Sequence, residues 1–325
     1  MTSDAADREL LLRMRIARAD ESVEFEPLPG GVSSDIRVVR AGDRTVVLKR
    51  ALEKLKVVAD WHAPIERSRA EARWLEFVSH IAPDAVPEVL AVDAQSHAIA
   101  MEFLPPEQYP NWKTQLLSGL VDVDVAGRVG QLLGRIHAAS AATPELAARF
   151  DNQDAFESLR IEPYLRRTAA AEPRAAGPLA EVIAMLERPG RVLVHGDVSP
   201  KNILIGASSP VLLDAECATW SDPAFDAAFC LTHLGLKAVH LPERAPELRA
   251  AASELRRRYL DEVDWEPASD VDRRISRILP ALMLARVAGA SPVEYLDESE
   301  RQRVRATAIE LLNRPVIRSE GDTDV

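Results

Sequence analysis

Three observations predict an α+β fold of two unequal halves. The first hundred residues are short β-rich runs divided by turn signals, and the rest is rich in Ala, Leu, Arg and Glu at helical spacing. Three short apolar runs interrupt the helical half near its middle. The 325 residues, 47% hydrophobic and 28% charged, suffice for one large core or two moderate ones. The expected division is a β-rich half over 1–104 that opens with a helix over 1–21, a mainly helical half over 105–318, and a disordered acidic tail over 319–325. Forty Lys and Arg against 51 Asp and Glu leave a net charge of −11, which argues against a surface that tracks nucleic-acid phosphates. Cys217 and Cys230 are too few for a disulfide scaffold and are expected as free thiols in a reducing compartment. No apolar run reaches membrane-spanning length, and the N-terminus interleaves charges with apolar residues where a signal peptide would be continuously apolar. The expectation is a cytoplasmic protein with neither a membrane nor a nucleic-acid partner; its oligomeric state is left open.

In chain order, residues 22–28, 35–40 and 45–49 read as three strands of an antiparallel meander, divided by Pro29-Gly30-Gly31 and Ala41-Gly42-Asp43. Ala70, Trp74, Phe77, Val78 and Ile81 recur at helical spacing over 65–81. Two more strands, 89–92 and 98–103, end at Leu104-Pro105-Pro106. Helices are expected over 125–140, 153–170, 178–186, 224–239, 245–263, 271–288 and 298–312. The interrupting runs are 191–195, 202–205 and 211–214, with Gly206–Pro210 as the turn between the last two.

Short strands inside a helical half position something, and these carry the sharpest signal in the chain. Val194-His195-Gly196-Asp197-Val198-Ser199-Pro200-Lys201-Asn202 is followed, after a hairpin, by Leu213-Asp214-Ala215-Glu216. Asp197 leaves the first strand, Asn202 opens the second and Asp214 ends the third, so three oxygen-bearing side chains can converge. Such a set suits Mg²⁺, which takes few protein ligands and completes its octahedron with water and phosphates, and the implied substrate is a nucleoside triphosphate.

The stretch resembles the kinase-like small-molecule phosphotransferases, the family of aminoglycoside phosphotransferases, choline kinases and methylthioribose kinases. In protein kinases a His-Arg-Asp loop has an Asn five residues on and Asp-Phe-Gly later; here the spacing from Asp197 to Asn202 is kept, while Gly196 replaces the Arg and Asp214-Ala215-Glu216 replaces Asp-Phe-Gly. The resemblance implies a protein-kinase-like bilobal fold and transfer of the γ-phosphate of ATP, with Mg²⁺, to a hydroxyl of a small molecule. It implies Asp197 as the group that accepts or orients the acceptor proton, and Asn202 and Asp214 as metal ligands, joined by Glu216, which reaches a metal-bound water or locks the loop. Lys49 is implied as the phosphate-binding lysine and Glu71 as its helix partner, against the alternative that Glu71 makes an ordinary surface pair with Arg67. Gly30, Gly31, Ser33 and Ser34 resemble the family's phosphate loop, and Met101, Glu102, Phe103 and Leu104 its adenine-binding hinge. Asp226 resembles the aspartate that anchors the catalytic loop, and His195 is read as holding loop backbone more than as a catalyst. A catalytically inert nucleotide-binding scaffold and a protein kinase are the competing readings.

For the acceptor, Asp151, Asp154 and Glu157 suit a cationic molecule, and Arg160, Arg166 and Arg286 an anionic one. Each also reads as a solvated helix face.

Overall fold

The computed structural model describes residues 3–28, 33–54 and 63–314. Five antiparallel strands, β1 (Val23–Pro27), β2 (Ser34–Ala41), β3 (Arg44–Ala51), β4 (Val89–Asp93) and β5 (Ala98–Glu102), form one sheet in the order β1-β2-β3-β5-β4. Side chains alternate across a strand, and β3 uses both faces. Val46 and Leu48 pack with Leu10 and Leu11 of helix α1 (Ser3–Arg13), while Lys49 lies on the opposite face beside helix α2 (Arg67–Ile81), which joins β3 to β4. The N-terminal helix is shorter than the 1–21 expected. Arg15 adopts a left-handed φ of 59°, and the Ile16 amide reaches back to the Leu11 carbonyl, a closure that stops the helix.

The remaining helices are α3 (Trp112–Leu117), α4 (Val123–Ala141), α5 (Gln153–Phe156), α6 (Arg167–Ala171), α7 (Ala176–Leu186), α8 (Ala224–His240), α9 (Ala245–Asp261), α10 (Ala268–Ala288) and α11 (Glu298–Leu312). The helix expected over 153–170 is one continuous rod, but Glu157–Arg166 is wound as a π-helix. Pro163 inside it has no N–H to give to an α-helical ladder. Starts follow local chemistry: the Asp122 carboxylate caps α4 through the Asp124 and Val125 amides, and Asp297 with Glu300 forms a capping box on α11. Helices α4 and α9 meet closely because Gly130 presents no side chain; a Cβ there would lie 2.1 Å from the Leu255 carbonyl oxygen.

Two small ribbons sit against these helices. Strands β7 (Ile203–Ile205) and β8 (Pro210–Leu212) form the expected hairpin. Strand β6 (Val192–Val194) pairs with β9 (Thr219–Ser221), which is not among the strands expected from sequence. One continuous apolar core runs from Trp74 of α2 through the ribbons to α10 and α11. Among the described residues, no helix is long and apolar enough to cross a membrane.

Candidate active site

Lys49 emerges from the cleft face of β3 and is buried between two carboxylates. Its Nζ lies 2.7 Å from Glu71 Oε1 on α2 and 2.5 Å from Asp214 Oδ1, beyond the end of β8. Burial by itself would lower the Lys49 pKa, but Asp214 and Glu71 overcome it and hold the ammonium charged. Burial drives the Glu71 carboxyl up to about 7, against the pull of Lys49. Asp214 goes the other way: burial is outweighed by Lys49 and Lys201, and its carboxyl stays below the usual range. The sequence alternative for Glu71 fails, because Arg67 is not at the surface. Its guanidinium is fully buried, donates to Glu216 Oε2 at 3.0 Å, and gathers the carbonyls of Ser33, Leu52, Ala63 and Pro64.

The second half of the site is a loop hung on one aspartate. Both oxygens of Asp226, at the start of α8, accept loop amides, His195 N at 2.6 Å and Gly196 N at 2.8 Å. His195 spends both ring nitrogens on backbone: Nε2 donates to the Leu213 carbonyl at 3.1 Å, and Nδ1 accepts from the Asp197 amide at 3.1 Å. Burial holds its pKa below the ordinary value, consistent with that neutral tautomer. Gly196 has φ +78°, and a Cβ there would fall 2.7 Å from Cys217 Cβ, so the loop needs glycine where protein kinases have arginine. Asp197 is buried with its Oδ2 2.9 Å from Arg160 of the π-helix and 3.1 Å from Lys201. Burial pushes its carboxyl up, but these two cations pull it below the ordinary value, so the carboxylate is ionised at neutral pH. Asn202 donates Nδ2 to the Asp197 carbonyl at 3.1 Å, which turns the oxygen end of its amide the other way. Asp214 holds a left-handed φ of 68°, costly for a residue with a Cβ and concentrated in proteins at functional sites.

Lys49, Glu71, Asp197, Asn202, Asp214 and Glu216 are therefore gathered from β3, α2 and the two ribbons onto one cleft. Met101 is buried with Ile99 and Ala72, and Phe103 and Leu104 are half-buried where the chain leaves β5. The exposed Glu102 accepts from the Glu88 amide through its carboxylate, while its own N–H donates to the Glu88 carbonyl. Ser34 is buried at the start of β2, and Ser33 gives its carbonyl to Arg67. Gly30 and Gly31 lie outside the described residues, as does most of the 51–64 insertion. Of the acceptor candidates, Asp151 and Asp154 are exposed and Arg166 is bound to Glu157 and Glu187. The reading missed Arg67 and Lys201 as parts of the site and gave Arg160 to the acceptor. The signals were their spacings, Arg67 one helical turn before Glu71 and Lys201 four residues after Asp197.

The donor set fits a hard cation. An Asn amide oxygen and a left-handed Asp carboxylate, its side chain 26% exposed, face the cleft beside a lysine. Among the described residues no three His, Cys, Asp or Glu side chains form a metal cage, so an ion here needs oxygen ligands from phosphates and water, as Mg²⁺ prefers. A cavity of about 790 Å³ lies against another face of α2, the edge strand β4 and the exposed Glu102.

Known proteins share this plan. The chain is 25% identical over 245 residues to the methylthioribose kinase of Exiguobacterium sibiricum, covering 66% of this chain and 61% of that protein. It is 23% identical over 251 residues to methylthioribose kinase 2 of Oryza sativa subsp. japonica, covering 69% and 58%. The chain thus spans about three fifths of the length of these curated relatives. Among solved structures, Plasmodium vivax ethanolamine kinase superposes with a TM-score of 0.59 at 12% identity, over 95% of this chain and 88% of that one. The choline kinase of Cryptosporidium parvum gives 0.58 at 13% identity, over 95% of both. These two likenesses establish the protein-kinase-like α+β fold. Residues 24–268, more than half of the chain, match the profile of the Phosphotransferase enzyme family, and the chain belongs to that family.

Proposed function

We propose that this protein is an ATP- and Mg²⁺-dependent kinase of a small-molecule hydroxyl. The observation that carries the reading is Lys49 bridging Glu71 and Asp214 across the cleft, beside an ionised Asp197. Asn202 and Asp214 would hold the metal, which when bound neutralises charge on the triphosphate. Glu216, tied to Arg67, locks the loop that follows Asp214. Lys49 binds phosphate oxygens, with Glu71 fixing its position. Ser33 and Ser34 contribute to the phosphate site, and the backbone of Met101–Leu104 holds the adenine. Since the Glu102 N–H is already engaged by Glu88, the purine is left the Glu102 carbonyl and the amides beyond it.

The reaction forms a bond from the acceptor oxygen to the γ-phosphorus, breaks the bond from that phosphorus to the bridging oxygen of ADP, and passes the hydroxyl proton to Asp197. Most of the acceleration is positioning and electrostatics. Asp197, a weak base in the resting enzyme, gains its effect from orientation by Arg160 and Lys201.

Steady-state ATP consumption with Mg²⁺ and a panel of hydroxyl acceptors tests the reading. Asp197→Ala should lower kcat by about 10³-fold while the KM for ATP stays within about threefold, since the base acts mainly in the transition state. Near wild-type transfer by that variant would remove Asp197 from the mechanism, and failure of the wild-type chain to bind Mg·ATP would end the kinase reading.

A further inference from the structure

Beyond Asp197 the charge of this acidic molecule reverses sign. Phe229, His233 and Lys237 recur every four residues on α8 and so share a face, and all three are buried. The Arg160 guanidinium lies 5.8 Å from the Tyr164 ring centroid and 5.7 Å from that of Phe229. Arg286, near the end of α10, donates to the Tyr164 hydroxyl at 3.0 Å and to Ser291. The Lys237 ammonium faces the Tyr295 ring at 5.0 Å and, among the described residues, has no carboxylate partner. Four charged groups act most strongly on His233, Arg286, Lys237, Lys201 and Lys113, and all are cationic. Glu294, the carboxylate that acts most strongly on Lys237, is engaged by Lys113. The Tyr295 hydroxyl and the Arg286 Nε are buried without hydrogen-bond partners among the described residues.

Burying cations and donors without counter-charge costs free energy that a fold recovers when a ligand supplies the missing anion. Resting on the kinase reading above, we propose that the acceptor carries an anionic group, a carboxylate or a phosphate, and that Arg286, His233, Lys237 and the Tyr295 hydroxyl hold it while its hydroxyl lies at Asp197. His233 lies seven residues, on the order of 10 Å, along α8 from Asp226, which anchors the loop that carries Asp197, so anion and hydroxyl belong to opposite ends of the acceptor. Burial and Lys113 push the Lys237 ammonium down to about 7, and a bound anion would restore its charge. The acidic residues considered for a cationic acceptor lie outside this cluster, with Asp151 and Asp154 at the surface and Glu157 paired to Arg166.

The test uses the full chain with Mg·ATP and matched probes. These are 6-hydroxyhexanoate against 1,6-hexanediol, glucose 6-phosphate against glucose, and kanamycin as a polycation. Binding to the Mg·ADP-loaded protein is read by calorimetry, and transfer by ATP consumption. At least one anionic member should bind about tenfold tighter than its neutral partner, and which pair responds distinguishes carboxylate from phosphate. The preference should vanish in Lys237→Met/Arg286→Gln, with Mg·ATP binding reporting that this variant is folded. Equal or better binding of the neutral members or of kanamycin overturns the proposal, as does a preference that survives the double substitution. Loss of Mg·ATP binding by the wild-type chain instead overturns the kinase reading.

Discussion

Asp197 is a buried carboxylate held ionised by two cations, and the nearer of them comes from the π-helix. Arg160 reaches it from the π-helix, donating to the Gly196 carbonyl at 2.5 Å with Nε and contacting Asp197 with the other arm of its fork. Such a bidentate brace fixes both the position and the charge of a base. Arg160 is a positioning residue in this scheme, so its loss has a signature beyond instability. In Arg160→Gln the Asp197 carboxyl, no longer pulled down, titrates at higher pH. The proposed mechanism needs the ionised form, so the acid limb of the kcat/KM profile should move to higher pH. An unmoved limb with lower stability would make Arg160 a structural brace alone. The sequence showed Arg160 as an arginine on a helix; its target is 37 residues away, and no local spacing connects the two.

At the scale of elements, the site is positioned by packing that small residues permit. Gly127, Gly130 and Gly134 face α9 from α4, and the Leu255 carbonyl occupies the space where a Gly130 Cβ would be. Helix α4 also carries His137, whose Nε2 lies 3.3 Å from Asp226, and Ser140, whose hydroxyl accepts from the Leu193 amide of β6. Gly130→Ala should therefore push α4 and α9 apart and lower the free energy of unfolding by about 1–3 kcal/mol, measured by urea denaturation. Periodicity made α9 and α11 legible because each buries one stripe, while α8 is buried on nearly every side from Ala224 to Leu234. It did not reveal β9, whose three residues acquire strand character only by pairing with β6, or the π-helical winding around Pro163.

For the molecule as a whole, two ion pairs close the cleft, the part-buried pair of Lys49 with Asp214 and the buried pair of Arg67 with Glu216. Each joins the β-rich half to the segment after β8, so the proposed nucleotide site exists only when the halves are docked. A ligand held by both halves stabilises their union by mass action. Mg·ATP at 100 times its Kd should add about 2.7 kcal/mol to stability, and Asp214→Asn should lose that Mg²⁺-dependent gain in a thermal shift titration. A gain of equal size in the variant would place the metal elsewhere.

The His195–Asn202 loop, the paired carboxylates after the hairpin and the β3 lysine were legible in sequence alone as a candidate site, because each depends on residue types at short, fixed spacing. The division into a β-rich and a helical half was equally local, carried by hydrophobic periods of two and of about 3.6. Tertiary structure decided what those residues meet. Arg67 reaches Glu216 across 149 positions and Lys49 reaches Asp214 across 165. It also assembled the cationic cluster around Lys237 from α3, α8, α10 and the 291–297 segment. A buried charge is stabilised or stranded by groups that arrive from distant parts of the chain, so its role follows from the packed interior rather than from its neighbours in sequence.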